Sequence, residues 1–267
     1  MIELLQITND PVFARRCDAM AGMRIFLDLE RNGKAQRQAG RNTFISTHQL
    51  QDIAPVKAVL RRTRLMVRVN PLFDGSPAEV DAVLAQGADT LMLPMFTQGQ
   101  ELGEFCRIVA GRAPVAALLE TALALESLHQ WIDTPGLQEV FVGLNDLHLS
   151  LRQRFMFEPL AIGVVDAVAA ACKARGLRFG FGGIARLDEG LLPGRDVLAE
   201  HVRLGSQAVI LSRTFHRSDS AHSFEQEVAL LRTYEQALAQ RSQAQCEADR
   251  VRIAARIADI AAGMVGP

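Results

Sequence analysis

Eight short apolar runs alternate with segments of helical periodicity along the 267 residues, and this alternation limits the fold more than any other feature. The runs are Leu4–Thr8, Met23–Leu29, Arg64–Asn70, Thr90–Phe96, Val115–Thr121, Glu139–Asn145, Arg178–Gly183 and Ala208–Ser212. Their continuous apolar character is that of strands buried on both faces of a parallel sheet. Between them, apolar residues recur at spacings of three and four, as in Ala78–Gly87, where Gly stands at the expected helix end, and in Leu160–Arg175 before Gly176. Eight strand–helix pairs in about 250 residues predict a single α/β domain of the (β/α)8 TIM-barrel class over residues 1–267. A doubly wound open sheet is the alternative. It is disfavoured because no GxGxxG turn follows the first strand.

The segment 224–264 is longer than a closing barrel helix needs. Its middle, Gln240–Glu247, is polar, and Val251, Ala254, Ile257, Ala261 and Met264 then recur at helical spacing. This predicts an extended C-terminal helical segment whose stripe packs on a neighbouring subunit of a homo-oligomer, with packing on its own barrel as the alternative.

A net charge of -1 argues against a dedicated nucleic-acid binder. No segment approaches 18 consecutive apolar residues, and no basic leader opens the chain, so neither a membrane span nor a signal peptide is expected. Cys17, Cys106, Cys172 and Cys246 are widely spaced without CxxC pairs, which fits a reducing cytoplasm.

Chemistry in a barrel gathers at the C-terminal strand ends. There the chain places Asp28-Leu-Glu30, Arg68-Val-Asn70, Pro94-Met95, Glu120-Thr121, Gly143-Leu-Asn145-Asp146, Gly182-Gly183 and Ser212-Arg213. Carboxylates that end buried strands, as Glu120 and Asp146 do, are unusual unless paired or bound to a cation. Two of them on neighbouring strands suit Mg²⁺ or Mn²⁺, which takes oxygen ligands and keeps positions open for substrate. The competing reading is that each caps the helix after it.

Arg68 offers a planar fork to a substrate carboxylate, or forms an ion pair with Asp28 or Glu30. Asn70, Asn145, Gly183 and Ser212 are candidate substrate contacts. The ends of strands seven and eight are where barrels often hold phosphate, so a phosphorylated substrate stays among the options. His148 is a minor candidate proton carrier. No HxH, HExxH, Walker or GxSxG pattern is present.

These stretches resemble the HpcH/HpaI aldolase and citrate lyase beta-subunit family of phosphoenolpyruvate/pyruvate-type barrels. The resemblance rests on Ile25–Glu30 with Lys34 and Arg41, Val67–Asn70, Gly87–Asp89 with Leu93-Pro94, Leu118–Ala122 and Phe141–Leu147, and covers roughly residues 20 to 215. It implies a Mg²⁺ or Mn²⁺ site at Glu120 and Asp146, a substrate-gripping Arg68, and carbon–carbon bond chemistry through an enolate. Two positions depart from the family: Arg31 follows Glu30 where related aldolases place a histidine, and Met95 follows Pro94 where related lyases carry lysine.

Only Lys34, Lys57 and Lys173 could form a Schiff base, and the last two fall in helical segments. A metal-stabilised enolate is therefore the expected route. The expected enzyme is a divalent-metal-dependent aldolase or carbon–carbon lyase for pyruvate or a similar small anionic 2-oxo acid. Glu30 or a water on the metal would move the proton. Two alternatives are a lyase of acyl-CoA thioesters and a non-catalytic metabolite-binding barrel.

Overall fold

The computed structural model describes residues 1–33, 46–217 and 221–264. Its eight strands are β1 Glu3–Ile7, β2 Met23–Asp28, β3 Leu65–Arg68, β4 Thr90–Leu93, β5 Val115–Leu119, β6 Leu137–Val142, β7 Arg178–Ile184 and β8 Ala208–Leu211. They hydrogen-bond in sequence order as a closed barrel, with parallel pairing in β2–β3, β3–β4, β4–β5 and β7–β8. Each expected strand is present; seven end one to three residues early, where the chain leaves the sheet for its loop, and β7 runs one residue further, to Ile184. Lys34 and Arg41 lie outside the described residues.

The chain packs as two compact units, one of Leu5–Phe141, the other of Met1–Leu4 with Val142–Pro267. In the first, α1 Pro11–Asp18, α2 Ile53–Val59, α3 Ser76–Ala85, α4 Gly99–Val109, α5 Ala122–Glu126 and α6 Leu128–Trp131 surround strands that are almost wholly buried. Register sets the site. Asp28 pairs with Arg68, Arg68 with Met92 and Met92 with Ala116. Residues in register on parallel strands point the same way and residues two apart share a face. Asp28, Arg68, Ala116, Leu118 and Glu120 therefore belong to one face.

Arg24, Phe26 and Met66 continue that face toward the strand starts. There Arg24 Nη1 meets Glu139 Oε2 at 2.8 Å, each residue 4% exposed by side chain. Lys57 is held at the strand starts as well, 2.6 Å from Asp89, whose Oδ2 also accepts the Leu65 N–H.

In the second unit the helices are α7 Leu144–Ser150, α8 Glu158–Ala161, α9 Val164–Ala174, α10 Gly194–Leu204, α11 Phe224–Leu238 and α12 Gln243–Ala262. The helix expected over Leu160–Arg175 is interrupted, because Gly163 adopts φ +81° between α8 and α9. Ser223 and Ser242 open α11 and α12 with reciprocal capping boxes, and the polar stretch at 240–247 contains the break.

α12 packs on α8 and α10 of its own chain. Ile253, Ile257 and Ala261 are buried, while Val251 stays 55% exposed. The buried Asp196 carboxylate accepts Arg252 at 2.9 Å and Arg256 at 3.3 Å, fixing the helix further. Intrachain packing thus covers much of the stripe read from the sequence.

His201 on α10 is fully buried, stacked 3.7 Å from Phe181, with Nδ1 2.8 Å from the Ser206 hydroxyl and, among the described residues, no hydrogen-bond partner at Nε2. Burial lowers its pKa to about 3. The unfolded chain takes up this proton below about pH 6.5 and the folded chain does not. Stability is therefore full above that pH and falls as pH drops toward 3. Denaturant titrations should show about 2 kcal/mol lost to this residue between pH 7.5 and pH 5. His201→Phe should flatten the profile there, whatever its stability at neutral pH, and an unchanged slope would disprove the assignment.

Candidate active site

Arg68 ends β3 beside Asp28, which ends β2. Its Nε and Nη2 each donate to one Asp28 carboxylate oxygen at 2.8 Å, a two-pronged pair, and its Nε lies 3.4 Å from Glu30 Oε2. Asp28 and Glu30 are buried, and the Arg68 side chain is 16% exposed. Burial would lower the guanidinium pKa. The charges and hydrogen bonds of Asp28, with the charges of Glu30 and Glu120, outweigh burial and raise it. The ion pair and the substrate-facing fork are compatible readings of Arg68, since a neighbouring carboxylate can orient the guanidinium. The ion pair is formed, and it sets the orientation of the guanidinium.

Asp28 is itself held by two backbone contacts. Its carboxylate accepts the Glu30 N–H at 3.2 Å, and its own N–H donates to His48 Nδ1 at 3.1 Å. That bond requires a lone pair on Nδ1, so the buried His48 imidazole carries its proton on Nε2. The Arg31 guanidinium, occupying the position where related aldolases have histidine, donates to the Ser46 carbonyl and to the His48 carbonyl at 2.5 Å.

Glu120 follows β5 and is 3% exposed. Its Oε1 accepts the Met95 N–H at 3.0 Å. Met95 adopts φ +58°, a left-handed conformation that costs a non-glycine residue roughly 1–2 kcal/mol. Thr121 secures the same loop: its hydroxyl donates to the Phe96 carbonyl at 2.8 Å and accepts the Ala124 N–H at 3.1 Å, capping α5. Beneath it the Phe96 ring meets Trp131 edge-on at 5.1 Å. Arg68, Asp28, Glu30 and Glu120 thus form one buried group of three carboxylates and one guanidinium.

Other residues singled out in the sequence are given different work. Asn70 is a brace: its carbonyl oxygen accepts the N–H groups of Arg31 and Asn32 at 2.8 and 2.9 Å, and its amide donates to Glu79 at 2.6 Å. Both ends of the side chain are occupied by protein. Ser212 caps the turn Arg213–His216, its hydroxyl 3.0 Å from that of Thr214.

Gly182, rather than Gly183, has the demanding backbone. It has φ +51°, and a Cβ there would come 2.8 Å from Leu144, whereas a Cβ at Gly183 would make only an ordinary contact. Asn145 and Asp146 stand half-buried in the first turn of α7, where Gly143 supplies no side-chain cap. His148 is buried, with Nδ1 3.1 Å from the Leu144 carbonyl.

Met95 and His48 were missed from sequence. A left-handed methionine has no local signature, and His48 acts 20 residues from its partner. Because Met95 is strained, the usual order of small substitutions should reverse there. Met95→Gly should be more stable than Met95→Ala by about 1 kcal/mol in chemical denaturation, although glycine ordinarily loses to alanine. The opposite order would show that the conformation carries no strain.

A divalent cation fits this donor set. Among the described residues no three His, Cys, Asp or Glu side chains converge as a complete metal cage. Mg²⁺ needs only one or two carboxylates, however, and takes oxygen donors of the kind Glu120 supplies.

A family model described as HpcH/HpaI aldolase/citrate lyase matches residues 7–181. No curated protein sequence matches the chain. Among solved structures, an HpcH/HpaI aldolase/citrate lyase family protein from Burkholderia cenocepacia J2315 is 18% identical over 89% of this chain and 93% of its own, with a TM-score of 0.62. An HpcH/HpaI aldolase from Desulfitobacterium hafniense DCB-2 is 18% identical over 91% and 94%, with a TM-score of 0.60. The citrate lyase beta subunit from M. tuberculosis, solved with oxaloacetate and magnesium, is 17% identical over 88% and 96%, with a TM-score of 0.61. The family match covers well over half of the residues and agrees with the strand-end residues and the barrel: the chain belongs to the HpcH/HpaI aldolase/citrate lyase family.

Proposed function

We propose that this protein is a divalent-metal-dependent carbon–carbon lyase of the aldolase type, working through the enolate of pyruvate or a similar small 2-oxo acid. The observation that carries the reading is the gathering of three buried carboxylates, Asp28, Glu30 and Glu120, around Arg68. An anionic substrate would be repelled by Asp28, Glu30 and Glu120 acting alone. A Mg²⁺ or Mn²⁺ held by carboxylates there would favour an anion beside it. Glu120 is the proposed ligand within the group, and the motif Phe141–Asp146 adds Asp146 as the second.

When bound, the cation polarises the substrate carbonyl and stabilises negative charge on its oxygen. Arg68, already oriented by Asp28, directs its remaining donors at the substrate carboxylate or the enolate. Glu30, held 3.4 Å from the guanidinium, removes the proton from the carbon next to the carbonyl. The Met95 N–H fixes one oxygen of Glu120 and so selects which lone pairs remain for the ion. Asn145 remains a proposed substrate contact. A Schiff base through Lys57 is disfavoured, since its ammonium is paired with Asp89 at the opposite end of the strands. Lys173, on the outer helix α9, is disfavoured by its position.

With Mn²⁺ present, the protein should exchange the methyl protons of pyruvate for solvent deuterium, followed by NMR, and chelation should stop the exchange. Glu120→Gln and Asp146→Asn should each weaken Mn²⁺ binding in titration calorimetry and slow exchange by about 10²–10³. Arg68→Lys should slow exchange by at least about 10² while leaving Mn²⁺ affinity close to that of the parent. Unchanged metal affinity and exchange in the Glu120 and Asp146 variants would refute the scheme.

A further inference from the structure

Successive N–H groups of a strand point to opposite neighbours. Leu29 sends its N–H to the Arg68 carbonyl at 2.9 Å, on the β3 side, so the Asp28 N–H faces the β1 side. β1 ends at Ile7, and beyond it the Thr8 N–H lies 3.2 Å from the Phe26 carbonyl. Asp28 stands two residues further along β2, where a buried N–H needs an acceptor. His48 Nδ1 supplies one at 3.1 Å. An imidazole thus takes the place of a ladder acceptor at the point where the sheet delivers Asp28.

His48 is itself fixed in place. Its N–H donates to the Ser46 hydroxyl at 3.1 Å, its carbonyl accepts Arg31 at 2.5 Å, and the residue is 7% exposed. A hydroxyl or amide oxygen accepts an N–H at any ordinary pH. An imidazole does so only until it takes up its second proton, which occupies the Nδ1 lone pair. The imidazolium then turns a donor toward the Asp28 N–H, and two donors do not pair. Asp28 is the residue whose carboxylate grips Arg68 by both prongs, so a shift of its backbone reaches the guanidinium directly.

Solvent protons have a route to the ring. His48 lines a cavity of about 360 Å³ with Arg31, Gln49 and Glu79, and both Arg31 and Gln49 are exposed. Among the described residues, the charged groups around it come from four elements. They are Arg31 in the loop after β2, Glu79 on α3, Asp28 on β2 and Asp52, which accepts the Gln49 N–H at 2.8 Å. Of the two carboxylates nearest in sequence to these contacts, Asp28 is turned to Arg68 and Asp52 to Asn9 and Gln49.

We propose that His48 is a positioning residue for Arg68. Its neutral imidazole fixes the Asp28 backbone, Asp28 fixes the guanidinium, and the grip on the substrate lasts only while Nδ1 keeps its lone pair. The step from guanidinium to substrate rests on the enolate reading above. The grip is full above the titration of the imidazole and is lost as pH falls through it.

Two variants of the intact protein test this. The side-chain oxygen of asparagine accepts the same N–H without titrating, whereas leucine accepts nothing. With Mn²⁺, kcat/KM for deuterium exchange into pyruvate should fall about tenfold or more in the parent as the imidazole is protonated. His48→Asn should stay within about threefold of the parent at about pH 8 and lose that acid limb. His48→Leu should be slower by about tenfold or more at the same pH. With Mg²⁺ instead, NMR should show the Asp28 amide proton and the Arg68 Nε proton following the parent's acid limb. Both signals should ignore pH over that range in His48→Asn.

An acid limb that survives in His48→Asn would overturn the assignment, and so would equal rates in His48→Asn and His48→Leu. In both cases exchange by the parent would leave the enolate reading standing. If His48→Leu does not fold, the His48→Asn profile decides alone. If the parent exchanges no deuterium, the enolate reading fails by itself. The Asp28 and Arg68 signals then decide the positioning role, and signals that do not follow the ionisation of His48 would end it.

Discussion

The candidate site depends on the pair between Arg68 and Asp28. Removing two charges from water costs several kcal/mol per ion, and the loss is recovered only with close geometry and further hydrogen bonds. Both conditions are met. The fork matches the carboxylate at 2.8 Å on each prong, and Asp28 is also tied to the Glu30 and His48 positions. Glu30 and Glu120 bring two further buried carboxylates to that pair. A folded chain that used these acids only for stability would gain more from apolar side chains of similar size. Holding extra negative charge out of water is sensible when a cation neutralises it, and this ties an energetic cost of the fold to the proposed chemistry.

The sheet delivers these groups through two simple regularities. Register places Asp28 beside Arg68, and the two-residue alternation carries the same face from Ala116 to Glu120. The same face holds the Arg24–Glu139 pair at the strand starts, so polar groups lie at both ends with Phe26 and Met66 between them. Phe26 serves both neighbours: its ring lies 5.8 Å from the Arg68 guanidinium and separates the two ionic groups with apolar volume. Side chains fixed in this way need little rearrangement to meet a substrate, which is the condition for electrostatic stabilisation to act on a reaction.

Strand positions, the closed barrel and the acidic strand ends were legible in the sequence because each follows from local periodicity or from a buried charge that requires explanation. What stayed hidden depends on backbone conformation or on distant contacts. Asn70 reads as a polar strand end, yet its amide is used by Arg31, Asn32 and Glu79. Gly182 and Gly183 are indistinguishable in sequence, and only φ and the approach of Leu144 separate them. The helix expected from Leu160 to Arg175 kept its period while Gly163 turned the backbone out of it. Residue type is readable locally, whereas the partner of a hydrogen bond is fixed by the fold.

The two departures from the family pattern now have physical consequences. Arg31, where related aldolases have histidine, turns its guanidinium to the carbonyls of Ser46 and His48 and so supports the loop that orients Asp28. It acts on Arg68 through His48 and Asp28, from a position that carries no imidazole. Met95, where related lyases have lysine, offers Glu120 a backbone N–H instead of bringing a cation to the mouth. Both changes keep mobile positive charge away from the reacting end. Within the described group the positive charge is that of Arg68.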